Sequence, residues 1–138
     1  MAYLKAPAVT RKLFNPLAMR LGLGGSATLA VPRRRSGTMQ QIPVIPVEHG
    51  GARYVVSTRG ESEWVRNVRS AGAVELRERG RSQRFSAVEL PVGERQPVLD
   101  AYRAKAGRMV DSYWKRLPDP VDHPTFRLDP PRSPESAT

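Results

Sequence analysis

The chain has 138 residues, the size of one domain with a single core. It has no cysteine and only two histidines, which excludes disulfides, thiolate metal sites, a cysteine nucleophile and a histidine-rich metal centre. Its formal charge of +10, carried mostly by arginine, implies an anionic partner: nucleic acid, an acidic membrane surface or a polyanionic small molecule.

Residues 8–21 read as a helix, with Val9, Leu13, Leu17 and Leu21 at i+4 spacing, Phe14 beside them and Pro16 as a break or a new start. This helix packs on the domain or lies as a lid or on a membrane surface. Gly22–Ser26 ends it, and residues 1–25 form an N-terminal helical segment. Ala27–Pro32 is a strand and Arg33–Thr38 a hairpin connection, followed by a returning strand, Ile42–Val47, with Pro43 and Pro46 marking an edge or bulge. Gly50-Gly51 is a second turn, and Arg53–Ser57 a third strand. The period then changes. Glu61–Ala71 reads as a helix with Thr58 and Glu61 at capping-box spacing, Trp64, Asn67, Val68 and Ala71 on one face, and Gly72 as its stop. Ala73–Arg79 and Arg84–Leu90 are strands around Gly80, Glu94–Gly107 is a helix, and a short strand starts near Thr125. Tight turns between successive strands argue for an α+β fold, an antiparallel sheet curled into a small barrel over residues 26–128 with flanking helices. Residues 129–138, rich in Pro and Ser, read as a disordered tail.

Two segments carry the chemistry. Arg33–Gly37 puts three arginines, a hydroxyl and a glycine at a hairpin tip, where backbone N–H groups are free to meet a phosphate. A solvated charged turn has the same composition. Ser57–Gly60 ends a strand and enters a helix, where unpaired N–H groups and the dipole favour anions and Arg59 adds a charge. Simple helix capping by Glu61 and Glu63 is the competing reading. Trp64 is a core anchor by residue type, whereas Asn67 on an apolar face needs hydrogen-bond partners. No Ser/His/Asp set, carboxylate pair or P-loop can be assembled, because Gly22-Leu23-Gly24-Gly25 precedes a strand. Sparse aromatics give no stacking platform, so nucleic acid is not the expected partner.

Arg34-Arg35-Ser36-Gly37, Pro43, the run Gly51–Ser57, Gly60, Trp64, Asn67-Val68-Arg69 and Val74–Leu76 together resemble the deazaflavin (F420)-dependent nitroreductase family. The resemblance implies an antiparallel split β-barrel related to flavin-binding oxidoreductases. It implies coenzyme F420 as cofactor, with FMN as the alternative, and Arg34, Arg35, Ser36 and Gly37 around the cofactor's phosphate. Ser57, Thr58, Arg59 and Gly60 would line the cofactor, Trp64 and Asn67 would fix the adjoining helix, and Tyr113 would lie on the substrate side. The implied reaction is hydride transfer to a quinone, an enone or a nitro-type compound, without a metal. A non-catalytic binder of F420, a flavin or a lipid is the alternative on the same fold. The chain departs from the family pattern in four places: Arg33 stands where glycine is common, Thr38–Gln41 has no basic residue, Arg66 replaces a histidine beside Asn67, and the segment before Trp64 is shortened. No apolar run reaches the ~18 residues of a membrane span, and no signal-peptide pattern opens the chain. A cytoplasmic monomer or homodimer is expected, with peripheral membrane contact as the other option.

Overall fold

The computed structural model describes residues 26–131, so the helix expected at 8–21 and the end of the tail lie outside the described residues. Seven strands form one antiparallel sheet: β1 (Ala27–Pro32), β2 (Met39–Val44), β3 (Val47–His49), β4 (Ala52–Val56), β5 (Ala73–Glu78), β6 (Arg81–Glu89) and β7 (Thr125–Asp129). Helix α1 (Glu63–Ala71) separates β4 from β5. Helices α2 (Gln96–Ala106) and α3 (Asp111–Arg116) precede β7.

The strand order is β2-β1-β5-β6-β7-β4-β3. Its two edge strands are consecutive in the chain and separated only by Ile45 and Pro46, so the sheet must curl until its edges approach each other. The result is the expected antiparallel split barrel. Pro43 sits in edge strand β2, opposite Thr28, where its missing N–H costs no ladder bond on the open side. The sequence pattern predicts one strand over Ile42–Val47. Buried Ile45 and Pro46 instead break it into β2 and β3, because Pro46 cannot donate to a ladder and turns the chain from one barrel edge to the other.

Alternation along the strands builds two cores on opposite faces of the sheet. Leu29, Val31, Val55, Val74, Leu76, Phe85, Phe126 and Leu128 fill the barrel, where Trp64, Val65 and Val68 of α1 join them. Val47 and Val56 face the other way, toward Val98, Leu99 and Tyr102 of α2 and Tyr113 and Trp114 of α3. Burial raises the pKa of the Tyr102 phenol. Fully buried His123 ties this second layer to the barrel: Nδ1 lies 2.9 Å from the Ser57 carbonyl oxygen, Nε2 lies 2.6 Å from that of Leu117, and Trp114 stacks on the ring at 4.0 Å.

Helix α1 departs from the sequence reading at its start. It begins at Glu63 with Ser62 as N-cap, and the capping box between Thr58 and Glu61 is not made. Glu61 is drawn instead to Arg69, whose Nη1 and Nη2 reach its two carboxylate oxygens at 2.5 and 2.9 Å. A bidentate ion pair outcompetes a single cap bond. Val65, not Ala71, completes the buried face, since the helix enters the barrel by its first two turns and its last residue reaches solvent. Gly72 ends it in the left-handed conformation, as expected. Among the described residues no helix is long and apolar enough to cross a membrane.

Candidate functional site

The β1–β2 hairpin connection folds back on itself. The Arg33 N–H donates to the Thr38 carbonyl and the Gly37 N–H to the Arg33 carbonyl, both at 2.9 Å. Gly37 takes φ 78°, a conformation that a side chain would strain. Arg33 closes the loop internally, giving hydrogen bonds to Thr38 Oγ1 and the Met39 carbonyl. The Ser36 and Thr38 hydroxyls meet at 2.8 Å.

Asn67 then locks the hairpin to α1. Its Oδ1 accepts from the Arg34 backbone N–H at 3.1 Å and from Arg34 Nη1 at 2.9 Å, while its Nδ2 donates to Gln40 Oε1 at 2.7 Å. The residue is 3% exposed, so these bonds answer the question its position raised: a buried amide on an apolar face finds its partners in the hairpin. Arg34 also pairs with Glu63 at 3.0 Å.

Between hairpin and helix opens a cavity of about 490 Å³ walled by Arg33, Arg34, Arg35, Ser36, Gln40, Glu63, Arg66 and Asn67. Four guanidinium groups face one carboxylate there. Arg33 and Arg34 are held by the bonds described. Arg35 is exposed and has no partner among the described residues, and Arg66 meets only Glu63, at 3.6 Å. A groove with unsatisfied planar donors of one sign favours a multiply charged anion.

Ser57–Gly60 leads into α1 but does not wall this cavity. Ser57 is buried and its Oγ donates to the Gly60 carbonyl at 2.6 Å, while Gly60 takes φ 83°. Thr58 and Arg59 are half-buried beside it. The N-terminus of α1 follows with an unusual feature: Ser62 is 3% exposed, makes no cap bond, and its Oγ has no hydrogen-bond partner. A buried hydroxyl without a partner next to orphan helix N–H groups is a second place suited to an anionic or polar ligand atom.

Trp64 lies in the barrel core, 6.1 Å from Phe126 between ring centroids, and so anchors α1 rather than lining the cavity. Tyr113 is buried in the layer formed by α2 and α3. Gln40, Glu63, Arg66 and Ser62 were missed by sequence reasoning as site residues. Arg66 could have been found, because i and i+3 spacing puts Glu63 and Arg66 on one stripe beside Asn67.

A separate charge network closes the far side of α1. Arg69 joins Glu61 to Glu89, whose Oε1 and Oε2 lie 2.7 and 2.8 Å from Arg69 Nε and Nη2. Arg95, 5% exposed, bonds Glu89 at 3.1 Å and the carbonyls of Leu90 and Pro120. Hydrogen bonding to Arg69 holds the Glu89 carboxyl below its ordinary pKa, the same bonds raise that of Arg69, and burial lowers that of Arg95.

Fold and site together define a split-barrel protein with a cationic groove between the β1–β2 hairpin and α1. Residues 8–117 match the model of the F420H(2)-dependent quinone reductase family, and the chain belongs to that family. It is therefore an oxidoreductase that uses F420H2. Among solved structures, it is similar to an F420-H2 dependent reductase, FDR-A, at 20% identity and TM-score 0.57 over 76% of this chain and 94% of that one. It is similar to HutZ, the heme storage protein from Vibrio cholerae, at 12% identity and TM-score 0.58 over 85% and 89%. A third is a putative 5-nitroimidazole antibiotic resistance protein from Bacteroides thetaiotaomicron, at 10% identity and TM-score 0.56 over 83% and 79%. At these identities the structures share the fold alone. No curated protein matches the sequence.

The residues present fit the cofactor. Its phosphate and oligoglutamate tail are anionic, and the groove offers two guanidinium groups, Arg35 and Arg66, with donors to give. Among the described residues no cluster of His, Asp or Glu is placed to hold a metal ion.

Proposed function

We propose that this chain reduces a quinone with F420H2, and that the anionic part of the cofactor lies in the groove between the β1–β2 hairpin and α1. The observation that carries this reading is the contrast within the groove: Arg34 is held by Asn67 and Glu63, whereas Arg35 is exposed with its donors unused. F420H2, when bound, supplies two electrons as a hydride, and a quinone takes them with a proton to become a hydroquinone. Arg35 and Arg66 bind the phosphate or tail, with Ser36 beside them and Gly37 shaping the turn by its internal bond to Arg33. Asn67 holds Arg34 and the hairpin in place before the cofactor arrives, which lowers the ordering cost of binding. Thr58, Arg59 and Gly60 border the cofactor where the chain enters α1, and the Ser62 hydroxyl offers it an unused donor. Because these contacts are remote from the reacting atoms, they act on binding more than on the chemical step.

The test is steady-state oxidation of F420H2 with a soluble naphthoquinone, a benzoquinone, an enone and a nitroaromatic compound. The expected result is fastest turnover with a quinone, and a KM for F420H2 that rises severalfold in Arg35→Ala with kcat little changed. A protein that binds F420H2 but transfers no electrons to any quinone overturns the reading.

A further inference from the structure

We infer that Glu63 is a built-in competitor for the anion groove: its carboxylate holds the place between Arg34 and Arg66 that a ligand's negative charge would take. The inference rests on the groove being the seat of the cofactor's anionic part, and it names what sets the groove's selectivity. Glu63 Oε2 lies 3.0 Å from Arg34 Nη2 and Oε1 lies 3.6 Å from Arg66 Nη1. The carboxylate thus spans two guanidinium groups on the cavity wall, and among the described residues it is the only acid on that wall.

Three features make it displaceable. The Glu63 side chain is 63% exposed, so its ion pairs are weakly held in a high dielectric. As the first residue of α1, it keeps a favourable interaction with the helix dipole when it swings to another rotamer. Arg34 does not depend on it for position, because Asn67 Oδ1 grips both its backbone N–H and Nη1. When the carboxylate leaves, the guanidinium group stays.

The consequence is a charge threshold. A monoanion that exchanges with Glu63 replaces one unit charge by another and gains nothing on Arg34 or Arg66. A ligand with two or more charges can displace Glu63 and still engage Arg35, so the groove selects phosphates and polycarboxylates over simple carboxylates. The sequence places this competitor one turn before Asn67, so the helix residue that fixes the hairpin and the one that guards it share a stripe.

Inorganic pyrophosphate and acetate, titrated by NMR into wild type, Glu63→Gln and Glu48→Gln, provide the test, followed by F420H2. Glu48→Gln removes the same charge at the β3–β4 hairpin, away from the groove. Glu63→Gln is expected to tighten pyrophosphate about fivefold, as for removal of one nearby like charge, to make acetate binding detectable, and to leave the melting temperature close to wild type. Glu48→Gln is expected to change neither. Unchanged or weaker pyrophosphate binding in folded Glu63→Gln overturns the inference, as does equal tightening in Glu48→Gln. If pyrophosphate tightens while F420H2 affinity stays fixed, Glu63 remains a competitor and the groove is not the cofactor's seat. If neither ligand responds but Arg35→Ala still weakens F420H2, the seat stands and the competitor role falls.

Discussion

Arg66 and Arg69 lie three residues apart on one short helix, yet they belong to two different kinds of charge cluster. Arg69 sits in a closed set with Glu61, Glu89 and Arg95, in which donors and carboxylates are matched. Arg66 sits in an open set with Arg33, Arg34, Arg35 and Glu63, in which donors outnumber acceptors. The first set fastens α1 to β6 and to the segment before β7. The second leaves binding capacity at the surface. In an arginine-rich chain, then, the number of cations says little, and the balance of their partners marks where a ligand goes.

The largest effect is expected from breaking the closed set. Arg95→Ala leaves the Leu90 and Pro120 carbonyls without their guanidinium donor and takes one of two cations from Glu89, which keeps Arg69, and should cost about 2–3 kcal/mol of stability, read from urea unfolding. A variant with an unchanged midpoint would mean that the matched set is not what fastens the helix. Next comes the joint between helix and hairpin. Asn67→Ala leaves the Arg34 N–H and Gln40 without partners, so F420H2 affinity should drop about tenfold along with about 1–2 kcal/mol of stability. Retained affinity would show that the hairpin is ordered without its amide clasp.

Arg35→Ala should weaken F420H2 severalfold and flatten the ionic-strength dependence of binding, with no change in melting temperature. A fall in stability would move Arg35 from the open set to the closed one. The smallest effect concerns acid. The Glu89 carboxyl is held below its usual value of 4.5 by its hydrogen bonds to Arg69, so its contribution is complete above that value and is lost as pH falls below it through the depressed folded pKa. Glu89→Gln should therefore flatten the acid limb of stability against pH and leave cofactor affinity intact. An acid limb as steep as that of wild type would exclude Glu89 as its source.

The antiparallel sheet, the first hairpin and helix α1 were legible because local signals there agree with the fold. Gly37, Gly60 and Gly72 mark turns whose positive φ the sequence advertises, and alternation in β5 and β6 matches their buried faces. The break at Ile45-Pro46 was legible only in part: Pro46 marked an edge or bulge, but that the chain crosses there from one edge of the barrel to the other follows from closure of the sheet. The start of α1 misled for a related reason. The capping-box spacing of Thr58 and Glu61 is local, whereas the Arg69 that takes Glu61 away is two turns along the helix. In the site, the arginine cluster stood out by composition, but which arginine is held and which is unused depends on Asn67, 33 residues away from Arg34 in the chain. Glu63 read as a helix-dipole residue, and only its approach to Arg34 revealed it as part of the groove.

The central claim is that the open set holds the anionic part of F420H2. Titration of F420H2 into wild type and the Arg35→Gln/Arg66→Gln double variant, at low and at physiological salt, tests it most directly. The account predicts about 100-fold weaker binding at low salt, a smaller salt dependence and an unchanged melting temperature. A double variant that binds F420H2 within twofold of wild type at both salts would contradict it.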